Sequence, residues 1–154
     1  MRIVFLDIDG VLNSKRYDLE KTPEQGNIDE TRLALLKRLA DQTGASLVLI
    51  SSWRKHWDRN EALCDDMGRE LNDTFRRHGL SILDKTPDVD PRDRPAEVRR
   101  WLDAHQGEVA QYVILDDIPW GWGELEDRHV RTDYLVGRGL GERHIREACE
   151  ILIK

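Results

Sequence analysis

Four aspartates carry the clearest chemical signal in this 154-residue sequence. Asp7 and Asp9 are separated by one residue and followed by Gly10, and Asp116 and Asp117 stand side by side far along the chain. Each pair taken alone is also typical of ordinary strand ends or turns. Like charges held together repel each other, so a cluster of all four would need a counter-ion. A hard divalent cation with oxygen ligands would supply this charge, and Mg²⁺ is the usual choice where the substrate is a phosphate.

Short apolar runs precede both aspartate pairs and have the composition of strands that are buried on both faces. The predicted strands are Ile3–Leu6, Ser46–Ile50, Leu80–Leu83, Tyr112–Leu115 and Val130–Val136. Between these runs lie segments in which apolar residues recur at helical spacing. The predicted helices run from Asp29 to Gly44, Trp57 to Leu71, Ala96 to His105 and Glu142 to Leu152, with loops at Asn13–Asn27 and Thr86–Pro95.

Alternating strands and helices predict an α/β fold, a three-layer sandwich around a Rossmann-like parallel sheet. Ligands of such sheets bind at the carboxyl ends of the strands. Polar residues follow three of the predicted strands at that edge: Asp7 and Asp9, Ser51 and Ser52, Asp116 and Asp117. These residues are therefore the candidates for a functional site.

Three segments of the chain together resemble the haloacid dehalogenase (HAD) superfamily of aspartate-nucleophile phosphotransferases. Phe5–Asn13 is similar to its first motif, Leu47–Ser52 to its second and Val113–Asp117 to its fourth. Three stretches, Ser51–Arg54, Arg94–Leu102 and Ile114–Asp117, are similar to the HAD domains of RNA-repair proteins of the Swiss Army Knife type and to polynucleotide 5′/3′-phosphatases. The resemblance implies a HAD-like phosphatase with little or no cap domain.

The resemblance also implies roles for individual residues. Asp7 would be the nucleophile that forms an aspartyl phosphate. Asp9 would act as general acid and base, with its backbone carbonyl on the metal. Asp116 would bind Mg²⁺ directly. Asp117 would bind it through a water molecule or would contact the ligands of the metal. Ser51 would donate a hydrogen bond to the phosphoryl oxygens, with Ser52 as the alternative.

The third motif of the superfamily needs a cation that neutralises charge in the transition state. Arg94 is the first choice because it precedes the predicted helix start at Pro95, and Lys85 is the rival. Many relatives use lysine, and Pro95 stands where a glycine is usual. The remaining candidate substrate-binding residues are Gly10, Ser52, Trp53 and Arg54.

The segments between the motifs and the side chains near them indicate the class of substrate. We expect one domain over residues 1–154, with residues 54–93 as a possible small insert that is too short for a cap. An uncapped site admits large substrates, so nucleotides or nucleic-acid ends are the expected phosphate esters. Nearby arginines suit such anions, although arginines on helices are also typical of solvated faces. Trp53, Trp57, Trp120 and Trp122 either stack a base or pin loops to the core, and the last two look the more exposed.

The composition of the chain argues against several kinds of partner and site. The formal net charge of −6 argues against tight binding to long duplex DNA or to membranes. Two distant cysteines support neither a disulfide framework nor a zinc site. We expect no signal peptide, no membrane span, a cytoplasmic location and no stable protein partner. A phosphatase of mononucleotides or small metabolites, and a non-catalytic HAD-fold binding module, remain the alternative functions.

Overall fold

A computed structural model describes residues 1–154 and has a five-stranded, fully parallel sheet at its centre. The strands are β1 Arg2–Leu6, β2 Ser46–Leu49, β3 Ile82–Lys85, β4 Gln111–Asp116 and β5 His129–Arg131. Their order across the sheet is β3-β2-β1-β4-β5, so β1 lies in the middle between β2 and β4. This architecture confirms the predicted α/β sandwich with a parallel sheet.

Five α-helices surround the sheet. They are α1 Lys15–Glu20, α2 Glu30–Thr43, α3 Asp66–Arg77, α4 Arg94–Ala104 and α5 Glu142–Ile153. Three 3₁₀ helices, at Ser52–His56, Glu61–Leu63 and Gly123–Arg128, complete the secondary structure. No helix combines the length and the apolar composition that a membrane crossing requires.

The alternation of side chains along β1 divides the core into two clusters. Val4 and Leu6 face the larger one, which α2, α3 and α5 cover. Ile3 and Phe5 face the smaller one, which α4 and the 3₁₀ helix at Gly123–Arg128 cover. Because both faces of β1 are buried, its carboxyl end is held rigidly at the centre of the sheet edge.

The helix predicted from Trp57 begins only at Asp66, which corrects the prediction. Short polar side chains bind the backbone of the preceding segment and compete with helical hydrogen bonds. The carboxylate of Asp58 accepts from the N–H of Asn60, and the side chain of Asn60 accepts from the N–H of Ala62. Asp65 then caps α3 by accepting from the N–H of Gly68.

Two further predictions needed correction. The predicted loop Asn13–Asn27 contains the short helix α1, which Ser14 caps by accepting from the N–H of Tyr17. Of the predicted strand Val130–Val136, only Val130 and Arg131 belong to β5 and pair with β4. Beyond β5, the carboxylate of Asp133 accepts from two backbone N–H groups and turns the chain away from the sheet.

Residues 54–93, which the sequence suggested as a small insert, contain α3 and the edge strand β3.

Candidate active site

Strand register brings Asp7 and Asp116 together. In the parallel pairing of β1 with β4, Leu6 lies opposite Leu115, and the next residues along are the two aspartates. The N–H of Asp7 donates to the carbonyl of Leu115 at 3.0 Å, which continues the ladder into the site. One carboxylate oxygen each from Asp7, Asp116 and Asp117 lies within 4.8 Å of the other two.

Arg94 contacts this cluster from the first turn of α4. Its Nη1 lies 2.8 Å from Oδ2 of Asp116 and 3.2 Å from Oδ2 of Asp7. Asp93 caps the helix by accepting from the N–H of Ala96, and Pro95 occupies the first turn, where its missing N–H costs nothing. The local sequence therefore fixes the point from which Arg94 reaches the aspartates.

Lys85, the rival of Arg94, lies elsewhere. Its Nζ donates to the backbone carbonyls of Arg54 at 3.0 Å and Trp57 at 2.5 Å. These bonds fasten the loop after β2 to the end of β3. Of the two candidate cations, Arg94 is the one in contact with Asp7 and Asp116.

The environment shifts the ionisation of the cluster. Burial raises the pKa of Asp7 well above its usual value, Arg94 pulls it down, and the charges of Asp116 and Asp117 raise it again. Burial and the charge of Asp116 also raise the pKa of Asp117. Burial alone would lower the pKa of Arg94, but the charges of Asp7 and Asp116 reverse the effect and raise it. The site thus disfavours the ionised forms of Asp7 and Asp117.

The same residues fit a divalent cation. Oδ1 of Asp117 is buried and accepts no hydrogen bond, so its lone pairs are free to bind a metal ion. Gly10, whose φ of +87° favours glycine, leaves the space for this carboxylate, since a Cβ there would lie 2.3 Å from Cγ of Asp117. The three carboxylates carry more negative charge than Arg94 compensates. Their oxygens are the kind of ligand that a hard ion such as Mg²⁺ prefers.

Asp9 lies outside the three-aspartate cluster and is exposed to solvent. Its Oδ1 accepts from Nδ2 of Asn13 at 2.9 Å, and Oδ1 of Asn13 accepts from the N–H of Gly10. Asp9 lines an adjoining cleft of about 360 Å³, here called the active-site cleft, together with Ser52 and Trp53. A carboxylate in this position is open to solvent.

Ser51 is buried and caps the 3₁₀ helix that follows β2, since its Oγ accepts from the N–H of Trp53 at 3.2 Å. Its hydroxyl proton is not used by this contact and can still be donated. Ser52 is exposed on the wall of the active-site cleft, and the half-buried Trp53 lies beside it. The loop after β2 therefore presents both predicted serines, one inside and one at the surface.

Arg54 has partners that the sequence did not indicate. Its Nη2 lies 2.5 Å from Oε2 of Glu97 and 2.7 Å from Oδ1 of Asp88, and its Nη1 donates to the carbonyl of Ile50. Glu97 is 1% exposed and stands on α4, one turn after Arg94. The charge of Arg54 is thus held by two carboxylates of this chain, and its role in substrate binding stays a prediction.

The tryptophans divide into buried and cleft residues. Trp122, expected to be exposed, is completely buried in the smaller core cluster, and Trp57 is buried in the larger one. The half-buried ring of Trp120 lies 5.0 Å from the guanidinium carbon of Arg94, a cation–π contact. Trp53 is therefore the tryptophan that lines the active-site cleft.

The fold and the site together define a HAD-type domain, with an aspartate cluster at the carboxyl edge of a parallel sheet and a cation from the following helix. A family model described as the HAD domain in Swiss Army Knife RNA repair proteins matches residues 3–145, and the chain belongs to this family. Comparisons with curated proteins and with solved structures give no significant match. The family supports a phosphatase-like function at the level of the superfamily.

Proposed function

We propose that this domain is a Mg²⁺-dependent phosphomonoesterase that forms an aspartyl phosphate at Asp7 and acts on nucleotide or nucleic-acid-end phosphates. The observation that carries the proposal is the contact of Arg94 with the buried Asp7 and Asp116, which form a cluster with the partly buried Asp117. A structural ion pair would not need a third carboxylate whose buried oxygen has no partner.

In the proposed first step, a carboxylate oxygen of Asp7 attacks the phosphorus of the ester. The bond from phosphorus to the substrate oxygen breaks, and Asp9 supplies the proton with which the alcohol leaves. Arg94 neutralises charge that accumulates on the phosphoryl oxygens and on Asp7, and the Ser51 hydroxyl donates to those oxygens. The products of this step are the free alcohol and a phosphorylated Asp7.

In the second step, Asp9 takes a proton from water as the water oxygen attacks the phosphorus. The bond from phosphorus to Asp7 breaks, which releases inorganic phosphate and restores the carboxylate. A Mg²⁺ held by Asp7, Asp116 and Asp117 would supply positive charge against the phosphate and the aspartates. The exposed position of Asp9 fits its double role, because a group that gives up a proton and recovers one needs contact with solvent.

The open site supports a large or extended substrate. Residues 7–29, with the six-residue α1, connect β1 to α2, and residues 50–81, with α3 and two short 3₁₀ helices, connect β2 to β3. Neither connection is large enough for a substantial cap domain. Lys55 lines the active-site cleft without an ion-pair partner and suits an anion, whereas Lys21 is paired there with Asp18 at 3.7 Å. The description of the family as a domain of RNA repair proteins supports a nucleic-acid end as substrate.

A panel of phosphate esters in Mg²⁺ tests this function. We expect the wild-type protein to release phosphate from p-nitrophenyl phosphate and to turn over phosphorylated oligonucleotides with a higher kcat/KM than mononucleotides. Asp7→Asn should abolish release, whereas Asp103→Asn, at an exposed position on α4 without an ion-pair partner, should match the wild type.

The panel also separates the alternatives. A higher kcat/KM for mononucleotides or small metabolites would replace the proposed substrate class. An inactive wild type would instead favour a non-catalytic binding module.

A further inference from the structure

A second cleft adjoins the active-site cleft. It has a volume of about 230 Å³ and lies between residues 24–28 and helix α3. Trp53 and Asn27 line both clefts, so the two spaces meet at these side chains. We call the second space the acidic cleft because Glu24, Glu30 and Glu70 line it against one cation, Arg77.

The charges of the acidic cleft exclude a phosphate. Arg77 and His78 are both engaged with the carboxylate of Glu30, at 3.3 Å and 2.9 Å. Glu24 and Glu70 have no ion-pair partner, so the free charge of the cleft is negative. A second phosphate group would be repelled here, while N–H donors would find carboxylate acceptors.

The remaining walls of the acidic cleft suit a flat ring. Trp53 is half-buried and packs against the larger core cluster, which fixes its indole, and Ile28 and Leu71 are buried apolar residues at the cleft. The volume is below the range of about 300–1,000 Å³ that is usual for drug-sized ligands. The cleft therefore has room for one ring system, an aromatic wall for stacking and acceptors for its edge.

We propose that the acidic cleft is a nucleobase subsite, which takes the base of the nucleotide whose phosphate lies at Asp7. A base with N–H donors on its edge, such as guanine, matches the acceptors of Glu24 and Glu70. This inference rests on the proposed function, and it makes the terminal nucleoside a determinant of selectivity alongside the phosphate.

Gly26 allows the cleft to be filled without disturbing the fold. A Cβ at this position meets only Oε1 of the exposed Glu70, at 3.3 Å, and the backbone conformation of Gly26 is open to any residue. Its carbonyl accepts from the hydroxyl of Tyr17, a contact that a side chain does not remove. Gly26→Val should therefore occupy the subsite, and Gly26→Ala is the matched small control.

The test compares two oligonucleotides that differ only in the terminal phosphorylated nucleotide, which carries guanine in one and is abasic in the other. The wild type should prefer the guanine end in kcat/KM by about tenfold to hundredfold, the scale of one stacked base. Gly26→Val should remove the preference, and Gly26→Ala should keep most of it. Glu70→Ala should reduce the preference, while Glu150→Ala, at an exposed position on α5, should not.

Thermal unfolding of each variant separates a filled cleft from a damaged fold. A wild type that hydrolyses both ends equally, or a preference that survives Gly26→Val in a folded protein, overturns the subsite and leaves the proposed function standing. A wild type that hydrolyses neither end nor p-nitrophenyl phosphate overturns both.

Discussion

Arg54 and Glu97 form an ion pair that is buried on both sides, with side chains 7% and 1% exposed and an N–O distance of 2.5 Å. Arg54 belongs to the loop after β2, which carries Ser51, and Glu97 belongs to α4, which carries Arg94. The pair therefore links the two segments that are proposed to bind the phosphoryl group. Its place in the molecule explains why a charged residue is tolerated in the buried face of α4.

Removal of one partner should be costly because the other charge stays buried. Glu97→Leu should lower the free energy of unfolding by about 3–5 kcal/mol, measured by urea denaturation. The double variant Arg54→Met with Glu97→Leu should recover much of that loss, since no buried charge is left unpaired and Asp88, the other partner of Arg54, is exposed. An unfolding free energy of Glu97→Leu equal to that of the wild type would show that the pair does not hold the loop to α4.

Arg94 and Lys85 should separate in their effects on catalysis. Arg94→Ala should lower kcat by about 10²–10³-fold, the usual effect of removing one charge-stabilising group from a transition state. Lys85→Ala should instead reduce thermal stability, because its ammonium fastens two carbonyls of the loop after β2. The opposite result, with kcat lost in a stable Lys85→Ala protein and retained in Arg94→Ala, would assign the third motif to Lys85.

The raised pKa values of Asp7 and Asp117 predict how stability depends on pH without metal. Both carboxyls bind protons more tightly in the folded protein than in the unfolded chain, where the pKa is about 3.9. Their contribution to stability is therefore complete below that value and is lost as the pH rises through the raised pKa values. In EDTA, the melting temperature should fall as the pH rises above about 5, where unperturbed carboxyls are already ionised.

Mg²⁺ and Asp117→Asn provide the controls for this pH dependence. Mg²⁺ favours the ionised carboxylates, so its stabilising effect should grow as the pH rises. Asp117→Asn should flatten the profile in EDTA because one of the two titrating groups is gone. A Mg²⁺ effect that is independent of pH, with the same slope in the variant, would argue against a metal site at these aspartates.

Local patterns were sufficient to predict most of the sheet and the meeting of Asp7 with Asp116 and Asp117, whereas Asp9 was expected in the same cluster and lies outside it. The apolar runs before Asp7 and Asp116 require buried strands, and parallel strands must end at one edge. The segment Trp57–Asp65 was mispredicted because apolar spacing alone does not register backbone capping by Asp58 and Asn60.

Long-range pairing accounts for what the sequence left undetermined at the site. Arg54 finds Glu97 across 43 residues of chain, and nothing in the local pattern of either residue marks the other. The signal that could have revealed Glu97 is its place among the buried apolar positions of α4, where a charge needs a partner. Trp122 is likewise buried by long-range packing, because it lies in the smaller core cluster with Ile3 and Phe5. Its glycine neighbours had instead indicated an exposed loop.

The proposed phosphoryl carrier is Asp7, and trapping the intermediate tests this most directly. The protein is mixed with p-nitrophenyl phosphate and Mg²⁺, denatured with acid during turnover and reduced with borohydride, which converts an aspartyl phosphate to homoserine. Peptide mass spectrometry should then find homoserine at position 7 in the wild type and none in Asp7→Asn. Turnover with an unmodified Asp7, or homoserine at Asp9 or Asp116 instead, would contradict the account.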